Sequence, residues 1–231
     1  MCATCGCSDH HPEHDHHHDV VELERHLLEH NASIAASNRA WLSGRRIRAF
    51  NLMSSPGAGK TTLLERTIRD LPAARISVIE GDQETDRDAE RIRAAGARAI
   101  QINTGAGCHL DASMVERALR ALEPPDGSTL MIENVGNLVC PSLFDLGESA
   151  RVVIASVTEG DDKPLKYPHM FRGATAVLLN KMDLLPHVSF DVEAFTRHAR
   201  RVNPRVEVLP LSATRGEGLD GWYRWLREPG A

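Results

Sequence analysis

Ser54-Ser55-Pro56-Gly57-Ala58-Gly59-Lys60-Thr61-Thr62 stands between an apolar stretch at residues 49–53 and a helical pattern at residues 60–70. A strand, a glycine-rich turn and a helix in that order turn backbone N–H groups and a helix N-terminus toward one point, which suits a phosphate. Lys60 is spaced to reach the β- and γ-phosphates of a nucleotide, and the Thr61 hydroxyl to ligate Mg²⁺. Ser55, Gly57, Ala58, Gly59, Lys60, Thr61 and Thr62 are the expected phosphate-binding residues. The run departs from G-x-x-x-x-G-K-[ST] at one position, where Ser54 replaces a glycine whose main use is to ease a turn.

On either side of this loop, short apolar runs alternate with helical patterns. Strands are predicted at residues 49–53, 75–80, 97–102, 129–132, 151–157, 176–179 and 206–210. Helices are predicted at 60–70, 86–95, 112–122, 191–202 and 219–226. Unbroken Val/Ile/Leu runs fit strands buried on both faces, and the alternation implies helices on both sides of a parallel sheet. The expected fold is a three-layer α/β/α P-loop NTPase with a mostly parallel sheet of about seven strands. It occupies residues 45–231. Residues 19–44 form a preceding helix, capped by Asp19 and stopped by Gly44, with Val20, Leu23, Leu27 and Leu28 at helical spacing. Residues 1–18 are a disordered tail rich in Cys and His, too polar to build a core.

The nucleotide base is read by a second segment. Asn180-Lys181-Met182-Asp183 follows a strand about 120 residues after the phosphate loop and matches N-K-x-D. A carboxylate at Asp183 accepts from both N1–H and the 2-amino group of guanine, a pairing that adenine lacks, and unpaired buried polar groups reject the wrong base strongly. Asn180 and Lys181 would shape the pocket, and Ser212 and Ala213 would complete it. GTP is expected over ATP.

Carboxylates for Mg²⁺ are expected at strand ends, where α/β sheets carry ligands. Glu133-Asn134-Val135-Gly136 is similar to the D-x-x-G element that senses a γ-phosphate, with Glu for Asp. Glu80-Gly81-Asp82 ends another strand, and Asp88 follows closely. Asp82, Asp88 and Glu133 are the predicted ligands alongside Thr61; Lys60, Asp82 and Glu133 are the predicted catalytic groups. Asp88 fits an ordinary surface charge equally well. No residue declares itself as the base that positions the attacking water.

Composition narrows the class. With 231 residues, 26% charged and a net charge of −5, the chain suits one soluble α/β domain and offers no basic surface for nucleic acid. No apolar run is long enough to span a membrane, and no secretory signal opens the chain, so a cytoplasmic location is expected. Of the five cysteines, Cys2, Cys5 and Cys7 crowd into the first seven residues. Glycine between them lets three thiolates face one ion, and such ligands suit nickel or zinc. His10, His11, His14, His16, His17 and His18 follow, a tract suited to weak ion storage. Cys108, His109 and Cys140 form a third candidate site, for nickel or zinc, although a cysteine such as Cys140, taken singly, is more often a buried core thiol. Cys140 lies four residues beyond Gly136, so a movement of the γ-phosphate loop would carry a metal ligand with it.

Taken together, the N-terminal cysteine cluster, the His tract, residues 54–62, 80–82, 108–109, 133–136 with Cys140, 158–163 and 180–183 resemble the HypB family of hydrogenase nickel-incorporation GTPases, of the SIMIBI class. The resemblance covers essentially the whole chain. It implies a slow GTPase using Mg²⁺, a nucleotide-dependent homodimer, and nickel exchanged with a small zinc-containing accessory protein. The client implied is the large subunit of a [NiFe]-hydrogenase; neither nucleic acid nor a membrane is a partner. Three other readings remain open from the residues: a urease accessory GTPase, a nickel or zinc storage protein with a regulatory nucleotide domain, and a signalling GTPase.

Overall fold

The computed structural model describes residues 15–82, 87–105 and 107–228. Cys2, Cys5, Cys7, His10, His11 and His14 lie outside the described residues, as does most of the expected tail. In chain order the elements are α1 (Asp15–Gly44), β1 (Arg48–Ser54), α2 (Lys60–Asp70), β2 (Ile76–Asp82), α3 (Arg87–Ala94), β3 (Arg98–Asn103), α4 (Ala112–Leu122), β4 (Thr129–Glu133), β5 (Ala150–Ser156), α5 (Lys163–Lys166), α6 (Pro168–Arg172), β6 (Ala176–Asn180), α7 (Val192–Val202), β7 (Glu207–Pro210) and α8 (Leu219–Arg227). Every strand predicted from the sequence is present to within a residue or two.

The seven strands form one sheet in the order β3-β2-β4-β1-β5-β6-β7, and every pairing is parallel. β1 therefore sits at the centre, and the loop after it opens at the carboxyl edge where the strand order reverses, the usual place for a ligand crevice. Both faces are covered. Leu63, Leu64 and Ile68 of α2, Ile92 of α3 and Trp222 and Leu226 of α8 pack against Phe50, Leu52, Val78 and Val152 on one side. On the other, Val115 and Leu119 of α4 cover Ile79, Leu130 and Ile132, while Met170, Phe171 and Phe195 cover Val153, Val177 and Leu179.

One expectation changes at the N-terminal helix. It begins at Asp15 rather than Asp19, taking in His16–His18, because no proline or glycine interrupts the chain between Glu13 and Gly44. Two of the apolar residues whose spacing revealed it stand out from the domain: Leu27 is 56% exposed and Leu28 40%. The buried stripe is Asn31, Ala35, Asn38 and Leu42, a step later along the helix and half polar.

Candidate functional site

The expected phosphate loop, the expected carboxylates and Lys181 of the N-K-x-D segment share one cavity of about 560 Å³ at the carboxyl edge of the sheet. It is lined by Gly57, Gly59, Lys60, Thr61 and Thr62 from the loop and α2, by Glu80, Asp82 and Asp88, by residues 133–136, and by Lys181. Lys60 Nζ donates to Ser54 Oγ at 2.9 Å, so the hydroxyl that replaces the first glycine holds the ammonium at the loop's mouth. Thr61 Oγ1 donates to Glu133 Oε1 at 3.0 Å.

Asn180 fastens the loop to the N-K-x-D segment and to Ala213. Its Nδ2 donates to the Ala58 carbonyl at 2.9 Å and its Oδ1 accepts from Ala213 N at 3.1 Å. Lys181, at φ 62°, reaches the Gly57 carbonyl at 2.7 Å. Gly59, at φ 99°, has no room for more: a Cβ there would lie 2.5 Å from Asn180 Nδ2. Asp183 accepts from Ser212 Oγ at 2.6 Å, which fixes the carboxylate that would read guanine. All the residues named for phosphate and base are thus brought to one loop system.

Of the predicted carboxylates, Asp88 and Glu133 converge, and the third member of their cluster is Glu80. One ligand oxygen from each lies within 4.8 Å of the others. Asp82 lines the cavity but is outside that cluster. Glu80 opened the Glu80-Gly81-Asp82 motif without being singled out, because nothing in the sequence says that β2 and β4 are neighbours in register Glu80↔Glu133. Burial, and then the charge of Glu133, push the Glu80 carboxyl up to about 11; burial also raises Glu133. Among the described residues neither Glu80 Oε2 nor Glu133 Oε2 finds a hydrogen-bond partner. Two buried acids with orphaned oxygens, a third carboxylate and a threonine hydroxyl make a hard-oxygen donor set that fits Mg²⁺. Asp88 also pairs with Arg91 at 3.1 Å.

A further group escaped the sequence reading. Ser55 Oγ donates to Glu159 Oε1 at 2.6 Å, Lys163 Nζ donates to Ser55 Oγ at 2.7 Å, and Lys163 pairs with Glu159 directly. The phosphate loop is thereby held from β5 and α5 as well as from β6. Residues 158–163 had stood out as a motif, but only the fold shows what they touch.

Cys108, His109 and Cys140 come together as expected, their ligand atoms within 4.8 Å of one another, and both thiols are free. Cys140 opens a 3₁₀ turn (Cys140–Ser142) and is half-buried, not a core thiol. Its hydrogen bond, together with burial, raises the Cys108 thiol. Burial lowers His109, favouring the neutral imidazole that a metal requires. The buried Asn134 joins this cluster to the nucleotide cavity: its Oδ1 accepts from Leu110 N at 3.2 Å, one residue past His109, and its own N–H donates to Leu52 O in β1 at 3.0 Å.

The model of the CobW/HypB/UreG nucleotide-binding domain matches residues 48–210, which is the whole sheet from β1 to β7. The chain belongs to that family, among the HypB hydrogenase maturation factors. The hydrogenase maturation factor HypB of Azotobacter chroococcum mcd 1 is 58% identical over 214 residues, 92% of this chain and 70% of that protein. The crystal structure of HypB from Archaeoglobus fulgidus superposes with a TM-score of 0.82 at 41% identity, covering 88% of this chain and all of that one. HypB from Helicobacter pylori, crystallised in complex with nickel, gives 0.81 at 41% identity over 87% of this chain and 94% of that one. The fold is that of a P-loop NTPase, and the cavity around Lys60 lies within the matched nucleotide-binding domain. No helix among the described residues is long and apolar enough to cross a membrane.

Proposed function

We propose that this protein is a GTP-hydrolysing nickel metallochaperone that serves [NiFe]-hydrogenase maturation. One observation carries the reading: both metal-bearing loops are tied to the loop that faces the γ-phosphate. Cys140 follows Gly136 by four residues of chain, and Leu110, next to His109, is bonded to Asn134, next to Glu133. Whatever moves residues 133–136 therefore moves the metal ligands.

In this reading Asp183, steadied by Ser212, selects guanine. Lys60 turns from Ser54 to the β- and γ-phosphates, and backbone N–H groups of residues 57–62 hold the phosphates at the start of α2. Glu80, Asp88, Glu133 and Thr61 would hold Mg²⁺, with Asp82 at the cavity wall. When bound, that ion neutralises the charge developing on the phosphates during in-line attack by water. Lys60 stabilises the same charge from the other side. Loss of the γ-phosphate releases residues 133–136, and the geometry of Cys108, His109 and Cys140 changes with them.

Two thiols and a neutral imidazole suit nickel, and zinc as an alternative, with a fourth position open for exchange. The nickel complex of the Helicobacter pylori relative and the hydrogenase role in the names of the relatives support nickel as the cargo and hydrogenase as the client. The remaining parts of the reading rest on the family resemblance: a nucleotide-dependent homodimer, a small zinc-containing accessory protein as donor or recipient, delivery to the hydrogenase large subunit, and action in the cytoplasm. Cys2, Cys5, Cys7 and the histidines behind them would collect and store ions, leaving the domain site to release them.

The test is nickel affinity of Cys140→Ser and the parent, each in the GDP and GTP states. The parent should bind one nickel at this site with a nucleotide-dependent affinity, and the variant should lose both the ion and the dependence. Equal affinity in all four samples would refute the coupling.

A further inference from the structure

We infer that α1 is a latch across the two metal-bearing loops, with Asn31 and Asn38 as the positioning residues that set the spacing of Cys108, His109 and Cys140. The inference rests on the reading of those three side chains as a transition-metal site.

A helix that packs on a domain normally buries an apolar stripe. The buried stripe of α1 instead spends two of its four positions on amides, Asn31 at 7% exposure and Asn38 at 2%. A buried amide is costly unless its hydrogen bonds are made, and here each one bridges two separate loops. Asn31 Oδ1 accepts from Ala112 N at 2.8 Å, and its Nδ2 donates to Asp145 O at 2.8 Å. Asn38 Nδ2 donates to Ala112 O at 2.9 Å and to Leu146 O at 3.1 Å. Ala112 begins α4, three residues after His109, and Asp145 lies five residues after Cys140. Both polar groups of the Ala112 backbone are therefore held by α1, and the same two side chains hold the loop that leaves Cys140.

Three further contacts tighten the same junction. Arg39 Nη2 meets both carboxylate oxygens of Asp145, at 2.6 and 2.8 Å. Gly147, at φ 92°, lets α1 come so near that a Cβ there would lie 2.6 Å from Ala35 O. The His109 ring stacks on Phe144 with centroids 3.9 Å apart, which joins the two loops beside the ligands themselves. The separation of the loops is thus set by a helix that supplies none of the three clustered ligands Cys108, His109 and Cys140. Outer partners that orient metal ligands are worth about 10–100-fold in affinity.

The experiment uses the full chain carrying Cys2→Ser, Cys5→Ser and Cys7→Ser. Nickel is titrated and followed by thiolate-to-nickel charge-transfer absorption, a band to which the tail histidines do not contribute. Asn38→Ala should weaken nickel binding by about 10-fold and shift the band, while GDP affinity stays within about 2-fold. Arg39→Ala removes an exposed contact, leaves the buried amides paired, and should weaken nickel binding by about 2–3-fold with the fold intact. Asn38→Ala with parental affinity and an unshifted band overturns the latch, provided Cys140→Ser abolishes the band in the parent. A parent that shows no Cys140-dependent band overturns the metal-site reading and the latch with it. If Asn38→Ala does not fold, Arg39→Ala decides: weakened binding supports the latch and parental binding overturns it.

Discussion

Thr61 Oγ1 donates to Glu133 Oε1 at 3.0 Å, joining the first turn of α2 to the last residue of β4. The two residues are 72 positions apart, and the contact exists because β1 and β4 are neighbours in register Leu52↔Glu133. It brings the hydroxyl and a carboxylate that suit Mg²⁺ to the same point, beside the orphaned oxygens of Glu80 and Glu133.

Replacing Glu133 with Gln keeps the shape and the acceptor for Thr61 but removes the charge. Mg²⁺-dependent GTP hydrolysis should fall by at least about 100-fold, in line with the loss of one electrostatic group at a reacting phosphate. GDP affinity without Mg²⁺ should change by less than about 3-fold. Single-turnover hydrolysis and nucleotide titrations with and without Mg²⁺ check both halves.

Glu80→Gln tests the buried acid through stability. A carboxyl raised to about 11 lends stability that is complete below its unfolded value of 4.5 and is lost as pH rises toward the folded one. The metal-free protein should therefore be stabilised by Glu80→Gln at neutral pH, by roughly 2–3 kcal/mol. The gain should shrink to nothing near pH 4.5. Denaturant melts at several pH values measure it, and a gain that does not vary with pH would contradict the burial argument.

Gly59→Ala places a methyl group 2.5 Å from Asn180 Nδ2, in a left-handed conformation that costs an L-residue about 1–2 kcal/mol. Tm should drop by about 3–8 °C. Nucleotide affinity should drop by at least about 10-fold, because the turn and the Asn180–Ala58 bond both shift. Calorimetry and GDP titration on one preparation separate the two effects.

Asp183→Asn exchanges a double acceptor for a group that also donates. GTP affinity should fall by at least about 100-fold. Xanthine nucleotide, which carries an oxygen where guanine has its 2-amino group, should gain affinity by a comparable factor. Loss of GTP binding without any gain for xanthine would mean that Asp183 acts through Ser212 rather than on the base.

The phosphate loop, N-K-x-D and the seven strands were legible in the chain because each depends on neighbours in sequence: a glycine turn before a helix, an apolar run, a carboxylate just past a strand. Cys108-His109 was legible as ligand chemistry for a similar reason. Glu80 was not, since its role comes from a register with Glu133 across 53 residues. The Ser55–Glu159–Lys163 clamp and the docking face of α1 were hidden in the same way. Leu27 and Leu28 belong to the pattern that gave α1 its helical period, yet both are exposed, and Asn31, Ala35, Asn38 and Leu42 face the domain.

The sequence by itself determined a phosphate loop between a strand and a helix, an N-K-x-D segment of the kind that suits guanine, and cysteine and histidine side chains of the kind that suit soft metals. Local backbone demands and side-chain chemistry are written residue by residue. Only the tertiary structure decided which acids stand together, what restrains the phosphate loop, that Leu110 beside His109 is bonded to Asn134, and that the segments after His109 and Cys140 are both bonded to α1. Those relationships depend on strand order and on buried polar groups finding partners far along the chain, and a single sequence carries no local signal for either.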